Sequence, residues 1–253
     1  MSTLQRYPTL VFVVSLVGLW LAVQFGAYVA RKLRPVKEGE RQDLDLVISS
    51  SLTLLALIIG FTFSMAVGRY DQRKDYEEEE ANAIGTEYVR ADLLQPADAA
   101  KVRQLLVEYL DQRMLFYRVR DEERLEQIGN ETTRLQNEMW SVVQGAARAQ
   151  PTPTMALAVA GMNDVLNRQG YTQAAWWNRI PTGAWILMVA LAVCCSAVIG
   201  YGAHERGTLL FTLVPLLVSI AFFLIADIDS PRRGVIRVRP QNMESLYQQL
   251  HSQ

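Results

Sequence analysis

Ser49, Thr53, Ala56, Gly60 and Ser64 fall on one narrow stripe when the chain advances as a helix, about 100° per residue. Small and weakly polar groups that all face one way have two uses. One is close approach to a neighbouring helix, for which small residues at four-residue spacing are the usual device. The other is a water-facing lining, in which hydroxyls and bare helix surface meet ions. There Phe63 at the margin of the stripe, or Phe61 beside it, forms an apolar constriction that gates by dewetting. Continued further, the same stripe reaches Asp71, Lys74, Glu78 and Asn82, which would make a charged vestibule beyond an apolar neck.

Two groups of acids also need an account. Glu77, Glu78, Glu79 and Glu80 follow one another, and the simplest reading is a solvated helix face. Successive carboxylates repel, and these stand too far along the helix for its positive end to help. A cation site is the sharper reading, but the spaced ligand loop of a calcium-binding hand is missing, so no metal is expected. Near the end of the chain, Asp227 and Asp229 precede Ser230 and Pro231. Acids at the edge of a membrane are costly unless paired or facing water. They are expected either to pair with Arg69, Arg73 or Arg232, or to mark the mouth of an ion pathway.

Catalytic chemistry is not indicated. His204 and His251 have unrelated settings, and the only cysteines are the neighbours Cys194 and Cys195, expected to be buried and weakly polar. No nucleophile elbow, phosphate-binding glycine loop or paired-histidine helix occurs, so neither an enzyme nor a cofactor is expected. The balance of 25 basic against 26 acidic residues gives no reason to expect a nucleic-acid partner.

The elements that must carry these residues are set by charge. None occurs in 7–30, 46–68, 180–203 or 207–226, and each run reaches or exceeds the roughly 20 apolar residues that span a bilayer. In hydrocarbon such runs must be helices. The first exceeds the apolar stretch of a secretory signal, so it is kept as a span. The expected fold is all-α: four transmembrane helices with a helical extramembrane domain between spans two and three. Residues 1–68 hold helices one and two, 69–179 the charged domain, 180–228 helices three and four, and 229–253 a basic tail.

The domain holds 18 of the 26 acidic and 14 of the 25 basic residues. Residues 71–90 lack proline, so the second membrane helix is expected to continue into it. Pro96 with Asp98 marks a new helix start. From there Val102, Leu106, Tyr109, Leu110, Met114 and Tyr117 form an apolar stripe that must pack on something. Further helices are expected over 122–147, ending before Pro151 and Pro153, and over 155–167, closed by Gly170. Trp176 and Trp177 beside Arg179 read as headgroup anchors. A short amphipathic stretch surrounds Met243, Leu246, Tyr247 and Leu250.

With four spans, both termini and the domain share one side. Its membrane-proximal cations are Arg6, Arg69, Arg73, Lys74, Arg179, Arg232, Arg233, Arg237 and Arg239, against Arg31, Lys32, Arg34, Lys37, Arg41 and Arg206 opposite. The larger group favours a cytoplasmic domain, although five cations crowded into one loop argue the other way.

The segment GFTFSMAVGRYDQRK at 60–74, then EEANAIGT at 79–86, and DIDSP at 227–231 with Gly234, resembles the bestrophin-like domain family of bacterial membrane proteins. True bestrophins, more distantly similar, are pentameric anion channels whose second helix lines the pore. The resemblance implies a homo-oligomer, of five copies in the bestrophin case, in a bacterial inner membrane. Its partners would be the lipid bilayer and inorganic ions. It further implies that Phe61 and Phe63 stand near a neck and that Asp227 and Asp229 lie near the mouth. The chain departs from bestrophins in lacking the long acidic calcium clasp and the repeated aromatic and isoleucine neck motif; a preference for anions is what the resemblance implies. A membrane-anchored sensor or protein-interaction module, binding through the stripe from Val102 to Tyr117, is the alternative.

Overall fold

A computed structural model of the chain describes residues 7–32, 39, 41–202 and 208–252, with the backbone alone for 208–211. Arg6, Arg34, Lys37, His204 and Arg206 lie outside the described residues. The described residues form eight α-helices and no strand. They are α1 (Pro8–Lys32), α2 (Arg41–Arg90), α3 (Pro96–Arg118), α4 (Glu122–Ala149), α5 (Pro153–Trp177), α6 (Thr182–Gly202), α7 (Thr208–Asp229) and α8 (Gln241–His251), with a 3₁₀ turn at Ala91–Leu93. Four stretches are long and apolar enough to cross a membrane, supplied by α1, the 46–68 portion of α2, α6 and α7. This is a four-span helical membrane protein with a helical domain between spans two and three.

The chain divides into two compact units, Met1–Tyr70 with Arg179–Arg237, and Asp71–Asn178 with Val238–Gln253. In the first, α1 packs on α6 and α7. The approach of α1 to α6 depends on glycine at both faces. A Cβ added to Gly26 would stand 1.9 Å from the Ala197 carbonyl oxygen, and one added to Gly200 would stand 1.9 Å from that of Val23. Lipid offers helices no hydrophobic drive to associate, so backbone contact through small residues takes its place. Around this crossing Leu19, Leu55, Met188, Phe222 and Ile225 form one core, with Trp185 edge-on to Phe222. Cys195 is buried in that core while Cys194 is exposed on α6, so burial applies to only one of the two thiols. Val17, Leu21 and Phe25 of α1 face outward, as apolar residues do when the surrounding solvent is lipid.

In the second unit the stripe from Val102 to Tyr117 is wholly buried, and α3 packs against α4, which turns Ile128, Leu135, Met139 and Val143 inward. Each helix starts as its sequence requires. Pro96 occupies the first turn of α3, the Asp121 side chain accepts a hydrogen bond from Arg124 N, and Thr152 Oγ1 accepts one from Met155 N ahead of α5.

Two sequence expectations fail here. The third helix of the domain does not close at Gly170 but runs on to Trp177. A glycine within a helix costs only about 1 kcal/mol, and burial of Thr172, Ala175 and Trp176 outweighs it. The tryptophan pair divides as a consequence. Trp177 is 74 % exposed, but Trp176 is 4 % exposed and packs edge-on against Phe116 and Tyr117, so it is a core residue rather than an anchor.

Candidate functional site

The stripe on α2 is unused by packing among the described residues. Ser49, Thr53, Ala56, Gly60 and Ser64 are all exposed, while Leu55, Thr62 and Ala66 of the same helix are buried. A Cβ added to Gly60 would meet nothing within 4 Å, in contrast to Gly26 and Gly200. Among the described residues these small residues pack closely on no other helix, and the close crossing is built from α1 and α6 instead. Two of its hydroxyls are satisfied locally: Ser49 Oγ donates to the Leu46 carbonyl at 3.0 Å and Thr53 Oγ1 to that of Ser49 at 2.9 Å. Phe61 and Phe63 are 62 % and 40 % exposed.

At the end of α7 the two acids have separate tasks. Asp227 accepts from the backbone N–H groups of Val235 and Ile236, both at 2.8 Å, and so folds the chain back after the helix. Gly234 permits that turn, since a Cβ there would stand 2.3 Å from the Asp227 carbonyl oxygen. Asp229 accepts from Ile180 N at 3.1 Å, with Arg69 3.9 Å away. Both acids are buried.

In the helical domain, Asp71, Lys74, Glu78 and Asn82 are exposed on α2. Arg73 is buried and donates to the carbonyls of Ala175 and Asn178, each at 3.2 Å, tying α2 to the end of α5.

The glutamate run is not a solvated face. Glu77 and Glu80 are buried, Glu79 is half-buried and holds Arg168, and only Glu78 is exposed. Glu77 caps α8, accepting from Asn242 N and Met243 N at 3.0 Å and from Asn242 Nδ2 at 2.7 Å. Burial pushes its carboxyl up despite those bonds. Glu80 pairs with buried Arg113 and accepts from Thr172 Oγ1 at 2.8 Å, while the Arg113 guanidinium lies 4.4 Å from the Phe116 ring centre. Burial opposes the charge on Arg113, but the Glu80 carboxylate outweighs it and holds the guanidinium protonated. Between the end of α2 and α8 lies a groove of about 600 Å³, lined by Asn82, Thr86, Arg90, Asn242 and Gln249 among others.

Sequence reasoning missed this buried charge, although a signal exists. Arg73, Glu77, Glu80, Ile84, Glu87 and Ala91 follow one another at alternating spacings of four and three, the pattern of an inward seam, and all are buried. Polar side chains at most of these positions disguise it.

A family model, the Bestrophin-like domain, matches residues 10–243. The chain belongs to the Bestrophin-like family. Solved structures similar to it include two single-substitution variants of a bacterial bestrophin homologue from Klebsiella pneumoniae. One matches at a TM-score of 0.64 and 14 % identity over 94 % of this chain and 98 % of that one. The other matches at 0.67 and 11 % identity over 95 % and 96 %. A structure described as that of a membrane protein matches at 0.68 and 12 % identity over 96 % of each chain. At such identity the likeness establishes a shared fold. No protein with a curated description matches.

Proposed function

We propose that the chain is the subunit of a homo-oligomeric ion channel or channel-like protein in a bacterial inner membrane, with α2 facing the axis and the helical domain on the cytoplasmic side. The observation that carries this reading is the exposed stripe of Ser49, Thr53, Gly60 and Ser64 in a helix that is anchored from its other side through the buried Leu55, Thr62 and Ala66. A face of small, hydroxyl-bearing residues left unpacked in the single chain suits a lining shared among copies. Phe61 and Phe63 are the assigned neck. Asp71, Lys74, Glu78 and Asn82 are assigned to a vestibule, and Asp227, Asp229, Arg69 and Arg73 to the structural frame of the pathway. Membership of the Bestrophin-like family supports the channel reading, and an anion is favoured by that likeness alone.

The alternative, a membrane-anchored interaction module, drew on the stripe from Val102 to Tyr117 as a docking surface. That stripe is consumed inside the domain, so the observation behind it is gone. Particle mass and symmetry of the purified protein test the proposal first. A closed ring of about five copies with α2 innermost is expected. A monomer with a fixed protein partner would reject the pore. In reconstituted bilayers, Phe63→Ala is expected to raise conductance, and an unchanged current would remove Phe63 from the gate.

A further inference from the structure

The inward seam of α2 contains one acid that the domain leaves without a donor. Glu87 is fully buried, and among the described residues neither of its carboxylate oxygens has a hydrogen bond. Its carboxylate lies against α5 at Gly161. A Cβ built on that glycine would stand 2.0 Å from Glu87 Oε2 and 2.5 Å from Arg90 Nη1. Carboxyl and guanidinium therefore converge over a patch of backbone that glycine alone leaves open, yet no hydrogen bond joins them. Glu77 and Glu80, on the same seam, receive backbone, amide, hydroxyl and guanidinium donors. An acid given burial without donors is accommodated in its neutral form.

The charged groups of the neighbouring elements are largely committed elsewhere. On α5, Asp164 pairs with Arg168, which also holds Glu79. The 3₁₀ turn contacts α5, and its Asp92 is taken by Arg103 of α3, whose guanidinium also donates to the Tyr88 carbonyl. Arg90, on α2 itself, is the counter-charge that remains close. Burial pushes the Glu87 carboxyl up to about 8, against the opposing pull of Arg90.

We propose that Glu87 is a proton-operated latch between α2 and α5, holding the two helices closed while it carries its proton and loosening them when it loses it. The proposal does not depend on ion conduction. Its sign follows from linkage. An unfolded chain releases this proton near the ordinary value of 4.5, whereas the folded domain keeps it to about 8. The stability contributed by the neutral contact is full at low pH, declines as pH rises through that window, and is gone above it. There the ionised carboxylate lacks donors until Arg90 or water moves in, and α5 gives way at Gly161.

Hydrogen exchange on the full-length protein in detergent tests this, with rates corrected for intrinsic chemistry at about pH 6 and about pH 9. Protection of the peptide covering 153–170 is expected to fall about tenfold at the higher pH in the unaltered protein and to stay constant in E87Q. Equal loss in E87Q, or no loss in the unaltered protein, would overturn the latch. A second readout needs no folding of E87Q: the infrared band of a protonated carboxyl should disappear over the same pH range. In R90Q, which lacks the counter-charge, that midpoint should move to higher pH, and an unmoved or lowered midpoint would also overturn the proposal.

Discussion

The two compact units bring helices together with opposite materials. In the unit that holds α1, α6 and α7, contact comes from the absence of side chains, with Gly26 and Gly200 letting carbonyl oxygens of the partner helix approach directly. In the helical domain, contact comes from charge, with Arg73, Glu77, Glu80 and Arg113 buried and each given partners. The difference follows from the surroundings. Against lipid an unpaired charge has no refuge, whereas a domain bathed in water can bury charge if it matches every one.

The largest test of this contrast is to break the matched pair. Arg113→Met leaves Glu80 buried with Thr172 as its remaining side-chain donor, and should cost about 3–5 kcal/mol, read as loss of the cooperative thermal transition of the domain. Adding Glu80→Gln should recover much of that loss. If the double variant is as unstable as the single one, the destabilisation comes from packing around Arg113 and not from an orphaned charge.

Next comes the glycine crossing. Gly26→Ala forces α1 from α6 and should cost about 1–3 kcal/mol, measured as the temperature at which the detergent-solubilised protein aggregates. Gly60→Ala, placed on the open stripe, should leave that temperature unchanged. Equal effects at both positions would show that the stripe of α2 is packed as tightly as the crossing.

Removing the cap of α8 is smaller. Glu77→Ala frees three donors at the start of that helix and should cost about 1–2 kcal/mol, seen as faster hydrogen exchange over 241–251 with the rest of the domain unaffected. The smallest effect is expected at Arg134, whose pairs with Glu131 and Glu138 lie on the outer face of α4. Arg134→Ala should leave the thermal transition where it is, because solvent and salt screen such pairs. A clear shift there would mean that this face is covered in the assembled protein.

Much of this arrangement is legible in the amino-acid order. Four charge-free runs determine four spanning helices, because a bilayer admits no other backbone solution for such segments. The extension of α2 and the start of α3 at Pro96 follow from local preference alone. The small-residue stripe on α2 is also readable, as is the need of Asp227 and Asp229 for partners. What could not be read is which acids of the glutamate run turn inward. Glu77 depends on Asn242 and Glu80 on Arg113 and Thr172, groups brought near only when distant helices pack. The same holds for Trp176 against Trp177, adjacent in sequence yet one buried and one exposed, and for Gly170, which α5 passes through. Hydrophobic length is a property of a segment and survives without tertiary context. Whether a charge can be buried is a property of its surroundings, and here only the packed structure supplies the donors to Glu77 and Glu80 and withholds them from Glu87.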